Sequence, residues 1–262
     1  MTFHPPAVLS LSGHDPSGGA GIQADIETLA SHGCHAVNVI TSLTEQDSRN
    51  VIKLIPQSPE NILSQAITLL SDIPVKAIKI GLLGHPDIIE SVHSILKRFP
   101  DIPVIFDPVL AAGDGTDLSS DRLIELINDL LLPCTTVLTP NSMEARRLTG
   151  LNDLKACGLA LLEKGCGYVL ITGTHENSTD VSNRLFHNGE CIESYSWNRL
   201  PHSYHGSGCT LAASIAGLIA QGLDVSDAVR EAQEFTWSAL AHGYQPGQGQ
   251  HIPNRFFWVE EE

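Results

Sequence analysis

Apolar and polar positions follow two alternating rhythms along the chain. Short β-branched runs are separated by longer segments of helical period, the pattern of a mostly parallel sheet with helices on both faces. Ala7–Leu11 is the first such run. A polar, glycine-rich stretch follows, then a helical segment from about Ile22 to His32 in which Ile22, Ile26 and Leu29 share a face. Val37–Leu43 and Val51–Ile55 read as strands, Pro59–Leu70 as a helix, Ala77–Ile80 as a strand, and Pro86–Lys97 as a helix with proline in its first turn. Val104–Phe106, Val137–Thr139 and Tyr168–Ile171 read as further strands. The rhythm then changes: Val181–Phe186 and Cys191–Ser196 flank His187-Asn188-Gly189-Glu190, where Asn-Gly marks a hairpin. Helices over Cys209–Gln221 and about Ser226–His242 precede a Gly/Pro/Gln-rich tail carrying Phe256, Phe257 and Trp258.

Successive strands end in polar or glycine residues. Ala77–Ile80 runs into Gly81-Leu82-Leu83-Gly84, Val104–Phe106 into Asp107-Pro108-Val109, Val137–Thr139 into Pro140-Asn141-Ser142-Met143-Glu144, and Tyr168–Ile171 into Thr172-Gly173-Thr174-His175. Open α/β sheets build ligand sites at these ends, so the pattern predicts one cleft. His205-Gly206-Ser207-Gly208-Cys209-Thr210 leads directly into a helix, where backbone amides converge at the positive end of the dipole and form a candidate anion site. Cys209 falls in the first helical turn, where that field favours the thiolate. The alternative is an ordinary glycine loop followed by a buried cysteine. Asn141 and Glu144 are spaced i, i+3 at a helix start, which suits oxygen ligands of Mg²⁺ or, equally, a helix cap. Asp25 lies beside an apolar stripe, one turn beyond the first glycine-rich loop.

The chain has 262 residues, enough for one large α/β domain, and residues 1–262 are expected to form one. Thirty acidic against fifteen basic residues give a net charge of −15, which argues against nucleic acid and anionic membranes as partners. Any phosphate must then be held by amides, a few cations and a metal ion. No apolar run approaches the roughly 20 residues of a spanning helix, and no basic leader begins the chain, so a cytoplasmic location is expected. Six cysteines without a C-x-x-C pair suit reduced thiols. The Walker loop, the dinucleotide fingerprint and the G-x-S-x-G elbow are all absent.

Ser12-Gly13-His14-Asp15-Pro16-Ser17-Gly18-Gly19-Ala20-Gly21-Ile22-Gln23-Ala24-Asp25, Ile78-Lys79-Ile80-Gly81-Leu82-Leu83, Asp107-Pro108-Val109, Thr139-Pro140-Asn141-Ser142-Met143-Glu144 and Gly206-Ser207-Gly208-Cys209-Thr210 stand in one order across essentially the whole chain. Together they resemble the ribokinase-like superfamily, and within it the hydroxymethylpyrimidine/phosphomethylpyrimidine kinases of thiamine biosynthesis. The resemblance implies a three-layer α/β/α sandwich with a mostly parallel central sheet, a homodimer, and use of ATP with Mg²⁺. The implied substrates are 4-amino-5-hydroxymethyl-2-methylpyrimidine and its monophosphate.

It also implies roles. Gly13, Asp25 and Gln46 would line the pyrimidine pocket, Asp25 and Gln46 bonding the polar edge of the ring, with Leu82 and Val109 packing it. Asn141, Glu144, Thr172 and Gly173 would serve the nucleotide, and Asp107 and Glu144 the metal. Gly206, Ser207, Gly208 and Cys209 would form the anion hole, Cys209 standing where most of the superfamily has an aspartate base. The sequence departs from the family pattern at Leu82, commonly methionine, in the loop Ala111–Asp117, and at Thr172, where many members carry a phosphate-contacting lysine. His175 and Lys79 are candidate replacements for that lysine. A pyridoxal/pyridoxine kinase and a non-catalytic pyrimidine-binding protein of the same fold are the alternative readings.

Overall fold

The structure, a computed structural model, describes residues 4–111 and 120–260. In chain order it contains β1 (Ala7–His14), α1 (Gly21–Ser31), β2 (His35–Gln46), β3 (Val51–Pro56), α2 (Pro59–Asp72), β4 (Val75–Ile80), α3 (Pro86–Arg98), β5 (Val104–Phe106) and α4 (Asp121–Leu126). Then follow β6 (Val137–Leu138), α5 (Ser142–Thr149), α6 (Leu154–Glu163), β7 (Tyr168–Ile171), β8 (Asp180–His187), β9 (Glu190–Asn198), α7 (Ser207–Ala220) and α8 (Val225–Ala241). Local chemistry sets many of these boundaries. Ser58 caps α2 with Pro59 in its first turn, Pro86 opens α3 and Lys97 and Arg98 close it, and α5 begins with a capping box and ends at Gly150 in the left-handed region (φ 73°).

One nine-stranded sheet has the order β3-β2-β1-β4-β5-β6-β7-β8-β9. The six strands from β2 to β7 in that order pair in parallel, while β3, β8 and β9 join as antiparallel hairpin strands at the two edges. Side-chain alternation divides the core into two layers. Leu9 and Leu11 of β1 and Ile78 and Ile80 of β4 pack with α2, α3, α5 and α6; Val8 and Ala77 face α7 and α8. The α/β/α sandwich expected from the sequence is therefore present. The chain passes from β1 to β2 on one side and later returns to β4 on the other, so a crevice opens at the carboxyl ends of β1 and β4.

The expected strands and helices occupy the expected places, with β1 and β2 running several residues further, to His14 and Gln46. Two helices lack a forecast. α4 has six residues and passes into a π turn over Ile127–Leu131, too short and irregular to show a period; α6 is diluted by Ala156, Cys157 and Gly158. Among the described residues no helix is long and apolar enough to cross a membrane.

Gly158 has a packing reason. A Cβ there would lie 2.7 Å from three ring atoms of Phe186 on β8. In an exposed helix Gly→Ala stabilises by about 1 kcal/mol. Here Gly158→Ala is expected to destabilise by about 1–3 kcal/mol through overpacking; a denaturation midpoint that rises instead would refute the close fit.

Candidate active site

The carboxyl ends of β1, β4, β5, β6 and β7 open on a cleft of about 860 Å³. Gly13, Gln46, Leu82, Val109, Asp107, Asn141, Glu144, Thr172 and Gly206–Cys209 all line it, so the structure gathers most of the sequence-derived site residues from elements far apart in the chain. Gly13 lacks a side chain where Leu82 packs: a Cβ there would come 3.0 Å from Leu82 Cδ2. Residues 112–119, which hold most of the Ala111–Asp117 departure, lie outside the described residues.

Two loops form one wall. Asp15 organises the first: its Oδ1 accepts from Ser17 N (2.8 Å) and Ser17 Oγ (2.7 Å), and its Oδ2 from Ala20 N (2.8 Å). His205, from the second loop, reaches the same Oδ2 at 3.0 Å and lies 3.4 Å from the amide of Gln46. Burial alone would raise the Asp15 pKa, but the hydrogen bonds from His205 and Ser17 outweigh it and hold the carboxyl at about 2. Asp15 is therefore ionised, and the proton of its contact with His205 sits on the imidazole.

In the second loop, Gly206 adopts φ 84° and caps α7 without a side-chain hydrogen bond. A Cβ at Gly206 would stand 1.9 Å from the carbonyl oxygen of Gly19, so the two glycine loops touch backbone to backbone. The amides of Ser207, Gly208 and Cys209 open the helix, where no intrahelical acceptor exists for them. They supply donors for an anion.

On the opposite wall Asn141 Oδ1 accepts from Met143 N and Glu144 N, both at 2.9 Å, while Glu144 Oε2 accepts from Asn141 N at 2.9 Å. This is the helix-cap reading of the pair, and it fixes Glu144 at the cleft, where Oε1 also accepts from Leu110 N at 3.4 Å. Burial pushes the Glu144 carboxyl up, and the charge of Asp107 pushes it further. Asp107 is likewise raised by burial, against the attraction of Lys79.

The structure corrects four expectations. Asp25 does not reach the cleft: it is fully buried, its Oδ1 lies 2.8 Å from Lys79 Nζ, and its Oδ2 accepts from Ser10 Oγ at 2.5 Å. Lys79 is equally buried and donates to Ser12 Oγ at 2.9 Å, so its ammonium lies under the floor and does not replace a cleft lysine at Thr172. Gly173 lies behind the wall, its amide donating to Asn183 Oδ1 (3.0 Å) and its missing Cβ leaving room for the Ser182 carbonyl. The Cys209 thiol is not acidified. Burial pushes it up to about 12, and Asp107 and Asp25 oppose the lowering effect of Lys79. It is the neutral thiol. His175 does line the cleft.

Sequence reasoning missed Asp15 and His205 as a pair, although Asp-Pro-Ser is a turn signal in which an aspartate bonds backbone two residues on. It also missed Arg255, a buried cation in the tail that no periodicity marks.

Comparison with known proteins identifies the family. The sequence profile of the phosphomethylpyrimidine kinase family matches residues 15–254. The chain belongs to that family. The hydroxymethylpyrimidine/phosphomethylpyrimidine kinase of Streptomyces coelicolor is 36% identical over 254 residues, covering 94% of this chain and 92% of the relative. Among solved structures, an ADP complex of Bacillus subtilis pyridoxal kinase superposes with a TM-score of 0.89 at 28% identity, covering 98% and 99% of the two chains. The phosphomethylpyrimidine kinase of Clostridium difficile does so with a TM-score of 0.79 at 28% identity, covering 90% and 99%. The protein is thus a phosphotransferase, a kinase of the ribokinase-like fold.

Asp15 gives that cleft a pH signature. A folded-state pKa below the unfolded value stabilises the protein above about pH 4, and this stability is lost as the pH falls toward 2. Asp15→Asn is expected to cost about 2 kcal/mol at pH 7 and to flatten the stability change between pH 4 and 2. Parallel denaturant titrations at pH 7 and pH 3 check this; equal losses at both would show that the Asp15 charge is not what matters.

Proposed function

We propose that this chain transfers the γ-phosphoryl group of ATP to the hydroxymethyl oxygen of 4-amino-5-hydroxymethyl-2-methylpyrimidine, then a second one to the resulting monophosphate, within thiamine biosynthesis. The observation that carries the reading is the meeting of the Gly206–Cys209 amides with Asp107 and Glu144 across one cleft. In each transfer the acceptor oxygen bonds to the γ-phosphorus, the bond to the bridging oxygen breaks, and ADP leaves. The acceptor proton goes to solvent or a neighbouring base. In a loose transition state of this kind, positioning and charge neutralisation supply most of the acceleration.

The chain's own groups suit these tasks. Ser207, Gly208 and Cys209 present amides to the equatorial oxygens. Gln46, Leu82 and Val109 form a place for a flat ring. Because the His205 imidazole already donates to Asp15, the Gln46 atom suited to face His205 is its amide oxygen, leaving the NH₂ group to donate to a ring nitrogen.

Asp107 and Glu144 fit a magnesium ion. They are two hard-oxygen carboxylates, buried together, each raised by burial, a state that a divalent cation would relieve. Among the described residues no cluster of three or more His, Cys, Asp and Glu is grouped for a metal, so water and phosphate oxygens would complete the shell. When bound, such an ion would neutralise charge developing on the transferring phosphoryl group. The neutral Cys209 thiol suits the second transfer. A carboxylate in its place would add to Asp107 and Asp25 and repel an incoming monophosphate. The same reading takes the protein as one kinase domain per chain, homodimeric and cytoplasmic.

A mass-resolved assay with MgATP and the pyrimidine, with pyridoxal in parallel, is expected to give the pyrimidine monophosphate and then the diphosphate. Product from pyridoxal alone would reassign the specificity, and tight pyrimidine binding without product would indicate a binding protein. Asp107→Asn and Glu144→Gln are each expected to lower kcat by roughly 10²-fold or more and to raise the Mg²⁺ concentration for half-maximal rate. Wild-type Mg²⁺ dependence in either variant would remove that carboxylate from the metal site.

A further inference from the structure

Arg255 follows the last bridge of the tail, yet only 1% of it is exposed. Its Nε donates to Thr210 Oγ1 at 3.0 Å, its Nη1 to Glu27 Oε2 at 2.8 Å, and its Nη2 to the carbonyl oxygen of Gly19. Its own carbonyl accepts from Ser31 Oγ at 2.6 Å. One side chain thus joins α1, the first glycine loop and the first turn of α7.

The bond to Thr210 continues toward the cleft. Thr210 Oγ1 donates to the carbonyl oxygen of Gly206 at 2.8 Å, and Thr210 N reaches the same oxygen at 3.0 Å. In a planar trans peptide the C=O and the following N–H point in opposite directions. Holding the Gly206 oxygen into the helix therefore turns the Ser207 N–H outward. The pairing with Glu27 offsets much of the Arg255 charge, so geometry rather than long-range field is its contribution.

We propose that Arg255 is a positioning residue of the anion site, acting through Thr210 to hold the Gly206–Ser207 peptide and, through Gly19, the facing loop. This rests on reading Gly206–Cys209 as the phosphoryl site.

The test uses the full chain as wild type, Arg255→Ala, Arg255→Lys, Thr210→Val, the Arg255→Ala/Thr210→Val double variant and, as a tail control, Phe257→Ala, which loosens the ring contacts with Phe235, His242 and Trp258. Binding of a non-hydrolysable ATP analogue with Mg²⁺ is followed by tryptophan fluorescence, since Trp197 and Trp237 line the cleft, alongside melting curves and steady-state kinetics. Arg255→Ala and Thr210→Val should each weaken the analogue by roughly tenfold and lower kcat by a similar factor, with pyrimidine KM within about twofold. The double variant should be no worse than the poorer single one, as for residues acting in series. Added guanidinium should rescue Arg255→Ala and not Thr210→Val. Arg255→Lys should recover part of the loss, and Phe257→Ala should lower the melting temperature with kcat kept. Wild-type analogue binding in folded Arg255→Ala and Thr210→Val, additive losses, or an equal loss in Phe257→Ala would overturn the assignment. If Arg255→Ala does not fold, Thr210→Val decides alone. The titration needs no turnover, so failure of the proposed activity is read from the wild type's products and failure of this assignment from the variants' binding.

Discussion

A buried ammonium sets the conditions for the rest of this cleft. Lys79 projects from β4 on the face shared with Ala77, opposite its registered partner Ser10, and meets Asp25 of α1 with no exposed surface on either side chain. An unpaired charge there would cost several kcal/mol. The strand alternation adds support, since Ser10 and Ser12 fall on the same side of β1, Ser10 Oγ donating to Asp25 Oδ2 and Ser12 Oγ accepting from Lys79. The seam constrains its surroundings: a Cβ at Gly81 would stand 2.2 Å from Ser12 Oγ and 2.8 Å from Lys79 Nζ. Such a pair adds little net stability over an apolar replacement. Its consequence is electrostatic, because Lys79 attracts both Asp107 and Cys209 from beneath the floor and opposes the burial that raises them.

Above the floor, the anion site depends on backbone meeting backbone. Gly206 fits only because it has no Cβ to meet Gly19, and Gly21, at φ 60°, leaves space that the Gly13 carbonyl occupies at 2.3 Å from where a Cβ would be. Side chains lock the contact from two directions: Asp15 and His205 at the cleft, Arg255 behind it. Donors that cannot reorganise easily are what a transferring phosphoryl group needs, since their orientation has been fixed during folding.

Features with a period or a fixed turn chemistry were legible in the sequence. The parallel strands, the Asn-Gly hairpin and the Asn141/Glu144 cap all emerged in place, because alternation and capping are local. What depends on a partner distant in sequence was not. Helical spacing put Asp25 near the glycine loop, but nothing local says that Lys79 covers it. The position of Cys209 at a helix start argued for acidity, yet a helix end carries about half a charge, and burial with two nearby carboxylates outweighs that. Arg255 stood in a tail without periodicity, and its partners come from three elements that only the fold assembles.

These errors share one physical origin, and it bears on Thr172. A chain of net charge −15 whose cleft holds Asp107 and Glu144 must still accept highly anionic ligands. A lysine at the end of β7 would supply charge on a long, mobile stem in an open cleft, screened by water. The groups present instead are fixed: amides at the start of α7, and an ammonium one layer below that favours the ionised form of Asp107. Positive potential is thereby delivered through backbone geometry and a buried ammonium. The loss of one cationic side chain is consequently weaker evidence against catalysis than it is when Thr172 is read alone.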